Sequence, residues 1–161
     1  MSAGNRPGLW MGILLSGLVW CGSSPEDPAT TPSDEPARPV DGSLLSYSPA
    51  VVELSGLLTV QPEFGPPNFG ATPEVDAKLN VPMLLLARSI GVRGDAEDEL
   101  NSETVTGILK VQLSFLTSAA LEGYPPLVGK RVVMTGTLSA ASLGTHYTPV
   151  VMDVTAVRAF E

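Results

Sequence analysis

The strongest constraint on this chain is the rhythm of its apolar residues between Leu44 and Glu161. They come in short, β-branched runs, cut by glycine, proline and small polar residues, with little trace of a helical period. Ala50 to Val60 (AVVELSGLLTV) is a first strand, and Gly56 within it marks a bulge or sharp bend. Val81 to Arg88 is a second, with Pro82 expected at its start, where a missing N–H does least harm. Thr104 to Leu113 is a third, with Leu109, Val111 and Leu113 on one face and Lys110 and Gln112 on the other.

The β-branched residues then thin out. Leu116 to Glu122 is the one short helix expected, with Gly123 as its stop signal. Lys130 to Leu138 gives a fourth strand and Tyr147 to Val157 a fifth. Five strands with a single helix between the third and fourth is the element order of the OB-fold, a small Greek-key barrel. Gly56 and Gly136 fit the bends that closing such a barrel requires. The fold expected is therefore all-β with one short helix, a small five-stranded OB-like barrel, with an open β-sandwich as the alternative.

Upstream of this domain the chain changes character. Arg6 is the one charged side chain before an apolar block from Leu9 to Trp20. That block is shorter than the roughly 20 residues a membrane-spanning helix needs, and a short apolar core behind a positive start is the pattern of a secretory signal. Residues 1–21 are expected to be a signal peptide. Leu18-Val19-Trp20-Cys21 is similar to the lipobox of bacterial lipoproteins, which implies lipidation of Cys21, although that pattern has a small residue where Trp20 stands. Cleavage after Ser23 is the competing expectation, giving a soluble secreted protein.

Residues 22–43 hold five prolines, five acids and no large apolar residue except Val40. Such a segment has nothing to bury against its ordering entropy, and a disordered linker is expected there. The folded domain is expected over 44–161.

Composition narrows the partners. The net charge is −8, and an acidic chain repels a phosphate backbone, so nucleic acid is not expected to bind. Cys21 is the only cysteine, which rules out an internal disulfide and a cysteine-rich zinc site. No cofactor or metal is expected, and a membrane would be met only through a lipid at Cys21. Asp95, Glu97, Asp98 and Glu99, with Glu103, lack the residue order of a calcium loop and read as a solvated acidic turn.

Gly65-Pro-Pro-Asn-Phe69, Val128-Gly-Lys130, Gly136-Thr-Leu138 and Thr145-His-Tyr-Thr-Pro-Val150, taken together from about Val51 to Phe160, form a recognisable set. In these motifs the chain resembles a family of uncharacterised, exported bacterial proteins built on a domain of unknown function. The resemblance implies export and a similar fold, and it brings no settled activity. The family's last loop is often rich in histidine; here that loop holds His146 alone.

Two loops carry the candidate chemistry. In the first, prolines 66 and 67 fix the backbone, Asn68 and Gly70 accept left-handed turns, and Phe64 and Phe69 supply aromatic rings. It reads as a lid whose rings plug one end of the barrel, or else as a recognition surface. In the second, His146 lies among Thr145, Tyr147 and Thr148. A catalytic imidazole needs an orienting carboxylate and a nucleophile in reach. Asp153 and the two threonines are the nearest candidates, and no nucleophile elbow or carboxylate pair accompanies them. The function expected is an exported or lipid-anchored envelope protein that is not an enzyme. It would bind an unknown small ligand or envelope protein through His146, Tyr147, Thr148, Asn68 and Phe69. The alternative is a hydrolase using His146 as general base.

Overall fold

The computed structural model describes residues 44–161; the leader, Cys21 and the linker expected over 22–43 lie outside the described residues. Six strands, one short helix and one 3₁₀ turn make up this region. The strands are β1 (Leu44–Ser46), β2 (Val51–Phe64), β3 (Lys78–Arg93), β4 (Val105–Phe115), β5 (Arg131–Ala140) and β6 (Val150–Ala159). Helix α1 (Ser118–Gly123) and the 3₁₀ turn Pro125–Leu127 fall between β4 and β5.

The strands form one sheet that closes into a ring of five. β2 pairs with β3, β3 with β4, β4 with β6, β6 with β5, and β5 again with β2. All of these pairings are antiparallel except β4 with β6. The closed circuit is a Greek key with the helix between the third and fourth ring strands, the arrangement expected from the element order. One continuous sheet replaces the two packed sheets of the open-sandwich alternative.

Two glycines let the ring turn its corners. Gly56 faces Leu86 of β3 and Val132 of β5, where β2 passes from one partner to the other. A side chain there would collide with the Leu85 carbonyl. Gly136 stands at a bulge in the β5–β6 ladder, and a side chain at this position would meet the Asp153 carbonyl. Bulges re-aim a strand by one residue, the local bend a small ring needs.

The interior is filled from every strand: Val52, Leu54 and Leu58 from β2, Leu84 and Val92 from β3, Val111 and Leu113 from β4, Met134 and Leu138 from β5, Met152 and Val154 from β6. Ala120 of α1 joins this core, with Tyr124 and Leu127 packed against it. Tyr124 stacks on Phe115, ring centroids 4.4 Å apart. Thr117 caps α1 by accepting from Ala120 N at 3.1 Å, and its hydroxyl also reaches the Thr155 carbonyl at 3.0 Å, so the helix is pinned to β6.

Several details depart from the sequence expectations. Leu109 is exposed and Ile108 is buried in its place. The β3–β4 ladder shifts between Leu85 and Ile90, opposite Lys110 and Ile108, and that irregularity moves the inward position by one residue. Pro82 lies inside β3 rather than at its start; β4 pairs with β3 only from Met83 onward, so the ring's next ladder begins just beyond the proline. β2 and β3 both continue past the ring as a two-stranded arm. β1, three residues long, was not anticipated and adds in parallel to β3 at Gly91–Arg93.

Candidate functional site

The arm of β2 and β3 ends in residues 65–77, and the fold of that loop is set by one carboxylate. Asp76 is buried, and its two oxygens accept the backbone N–H groups of Asn68 at 2.7 Å, Gly70 at 2.8 Å and Thr72 at 3.2 Å. Burial alone would raise its pKa; the three N–H donors, with the Asn68 side chain, outweigh it and hold the carboxyl below the usual carboxylate range. Asn68 is therefore bound into the loop rather than presented by it. The left-handed residues are Phe69 (φ 52°) and Gly70 (φ 97°), not Asn68. Neither aromatic ring plugs the ring of strands: Phe64 and Phe69 are 36% and 46% exposed and lie outside the core.

The second loop, residues 141–149, is organised by two side chains. His146 Nδ1 accepts Ser142 N at 3.0 Å and Leu143 N at 3.4 Å, while His146 N donates to the Leu143 carbonyl at 2.9 Å. A ring nitrogen that accepts N–H groups carries no proton, which places the ring's proton on Nε2. Gln112 of β4 holds the loop to the ring: its Nε2 donates to the Thr145 carbonyl at 3.0 Å and its Oε1 accepts Tyr147 N at 2.8 Å. The buried Thr148 hydroxyl accepts Gln112 N at 2.9 Å and donates to the Val150 carbonyl at 2.7 Å.

The two loops meet. Tyr147 Oη donates to the Phe64 carbonyl at 2.8 Å, across 83 residues of sequence. Burial and then the nearby Glu63 carboxylate raise the Tyr147 pKa, which keeps its hydroxyl protonated as a donor. The Phe69 ring packs over Gly144, so closely that a side chain at 144 would sit 3.0 Å from Phe69 Cζ. The fold thus places Phe69, Tyr147 and the exposed Leu143 in the same pair of loops. Thr148 and Asn68 have their polar groups committed internally, and His146 is held by its own loop.

This arrangement bears on the catalytic alternative. His146 Nδ1 is turned onto the backbone N–H groups of its own loop rather than toward a nucleophile. The Thr148 hydroxyl is buried and bonded at both ends. Asp153 sits in β6, opposite Thr137 of β5 and Ser114 of β4. Among the described residues no three His, Cys, Asp or Glu side chains converge as metal ligands. In the acidic turn, Asp95 Oδ1 accepts Glu97 N at 3.0 Å and Asp98 Oδ1 accepts Leu100 N at 3.0 Å, so both acids cap their own backbone. Hydrogen bonds from Asn101 and Leu100 hold the Asp98 carboxyl below its ordinary pKa.

Sequence reasoning missed Asp76, Gln112 and Asn101. Asn101 is buried, and its Oδ1 accepts Ala140 N at 2.9 Å, next to the second loop. The one available signal was positional: an acid shortly after Gly-Pro-Pro-Asn-Phe-Gly, where exposed N–H groups of a tight turn need an acceptor.

A ring of five strands with two coupled loops defines a small all-β domain whose conspicuous surface is formed by loops. Residues 110–158, from within β4 to near the end of β6, match a domain of unknown function, DUF4431. The match includes Gln112 and the whole second loop, and stops short of the first. No curated protein matches the sequence.

Proposed function

We propose that the chain is an exported, non-catalytic binding module that takes a small ligand or an envelope protein at the coupled loops 65–77 and 141–149. The Tyr147–Phe64 hydrogen bond carries this reading, because it fastens the two motif-bearing loops into one surface that includes exposed aromatic groups. Small β-barrels of this element order commonly bind through the corresponding loops. Amphipathic aromatic side chains give large contact area for little lost entropy. The internal use of His146 and Thr148 favours binding over hydrolysis.

Export rests on Arg6 and the apolar block after it, with Cys21 as the candidate site for a lipid. Deleting residues 1–20 tests that part, and retention of the shortened protein in the cytoplasm is the expected result. For binding, the full chain is incubated with an envelope extract, repurified, and its co-eluting small molecules and proteins are identified by mass spectrometry. A species retained by wild type and lost from Phe69→Ala is the expected outcome. Turnover of ester, amide or glycoside substrates that disappears in His146→Ala would overturn the reading in favour of a hydrolase.

A further inference from the structure

One concavity shares no residue with the paired loops. It is an open cleft of about 590 Å³ between segments 46–50 and 93–98, within the size range of small-molecule sites. Both walls are fixed to β5. Ser48 N donates to the Leu138 carbonyl at 2.8 Å, and Asp95 N donates at 2.8 Å to the carbonyl of Asn101, whose side chain accepts Ala140 N. One wall of the cleft is therefore tied to β5 by a main-chain bond and the other through the buried Asn101 side chain.

Its polar groups divide into committed and uncommitted ones. Asp98 is engaged at both oxygens: Oδ1 accepts Leu100 N and Asn101 N, and Oδ2 accepts Asn101 Nδ2 at 2.7 Å. Asp95 uses Oδ1 for Glu97 N, and its second oxygen has no partner among the described residues. The Arg93 guanidinium is exposed and makes no hydrogen bond or ion pair among the described residues. Ser46 and Ser48 are exposed on the facing wall, while Pro49, Ala50 and Ala96 supply apolar lining.

We propose that this cleft binds a small zwitterion, its carboxylate on Arg93 and its ammonium on Asp95. An anion alone would have to settle beside two aspartates, and a cation alone beside an arginine. A ligand carrying both charges meets each with its opposite, and the guanidinium fork suits a carboxylate. Arg93 and Asp95 stand two residues apart on one wall of the cleft, so the ligand must present its two charges at separate ends. A dipeptide is the simplest ligand with an ammonium at one end and a carboxylate at the other.

The probe is glycylglycine, titrated into the full-length ¹⁵N-labelled protein and followed by amide chemical shifts. Shifts centred on residues 46–50 and 93–98 are expected. Blocking either end of the probe, as N-acetylglycylglycine or glycylglycinamide, weakens binding by about tenfold or more, the scale of a lost charged hydrogen bond. Arg93→Gln and Asp95→Asn do the same. Asparagine keeps the oxygen that caps Glu97 N, so the turn survives and the spectra of the variant report that directly. Equal binding of the blocked probes, or equal affinity for an uncharged polyol, overturns the proposal, as does absence of any shift. Shifts confined to residues 65–77 and 141–149 overturn it too, and would assign the probe to the loop surface, whose proposed role does not depend on this cleft.

Discussion

The loops at 65–77 and 141–149 solve the same problem with different groups. Each reverses the chain and leaves backbone N–H groups without strand partners, and each gathers them onto one side chain. In the first loop the acceptor is the Asp76 carboxylate, with three N–H groups at 2.7, 2.8 and 3.2 Å. In the second it is the neutral His146 ring, with two at 3.0 and 3.4 Å. Charged acceptors make shorter and stronger bonds than neutral ones, so the first loop is expected to be the stiffer of the two. The second loop compensates from outside, through Gln112 of β4 at Thr145 and Tyr147. A rare residue is not thereby the functional one: His146 draws attention as the single histidine, yet its ring does in weaker form what Asp76 does.

The sharpest way to break this comparison is to remove the stronger acceptor. Asp76→Ala leaves three N–H groups of a tight loop without their partner, and it is expected to lower the melting temperature more than any other substitution in either loop. Amides of Asn68, Gly70 and Thr72 should lose protection from hydrogen exchange by about tenfold or more. The pH dependence has a definite sign. The folded-state pKa of Asp76 is depressed, so its stabilisation is complete above the ordinary carboxylate range and is lost as pH falls through the lowered value. Acid should therefore loosen residues 65–77 below about pH 4. Equal acid sensitivity of wild type and Asp76→Ala in that loop would show that the carboxylate does not organise it.

The weaker acceptor should matter less. His146→Ala removes the partner of Ser142 N and Leu143 N in an exposed stretch where water can replace it, at a cost of about 1 kcal/mol. Thermal melts compare the two variants directly. A loss as large as that of Asp76→Ala would erase the distinction between the loops. An unchanged melt paired with loss of a measured turnover would make the imidazole catalytic.

How far these features were legible follows from the kind of signal each one leaves. β5 and β6 were readable because Val132, Met134, Leu138, Val150, Met152 and Val154 are buried in near alternation or in short runs, and burial writes itself into residue type. The ring-closing glycines were readable for a similar reason, since only glycine tolerates the carbonyls of Leu85 and Asp153 so near. Leu109 was misplaced because a register shift in the partner strand leaves no mark in its own sequence. The arm was cut short because the first strand was ended at Val60, yet Gln61, Pro62 and Glu63 pair with Val81, Asn80 and Leu79. Asp76, Gln112 and Asn101 escaped notice because a polar side chain serving backbone groups elsewhere looks, in one dimension, like a solvated one.

The finest distinction concerns Tyr147, the link between the two loops. Tyr147→Phe removes one hydroxyl and keeps the ring. The Phe64 carbonyl that loses its donor is exposed enough to take a water instead, so the cost to stability is about 0.5 kcal/mol. The structural consequence should be larger than the energetic one. With the hydrogen bond gone, the Phe69–Gly144 contact still ties the first loop to the second, and that contact is a ring against a backbone with no polar component. Nuclear Overhauser contacts between Phe69 and Gly144 should weaken, while protection at the Asp76 amides stays unchanged because that network lies wholly within residues 68–76. If ligand capture falls with the Overhauser contacts, the coupled surface is what binds. Capture that persists when the loops part would place binding on a single loop, and loss of protection around Asp76 would show that the two loops fold as one unit rather than as two units held by a latch.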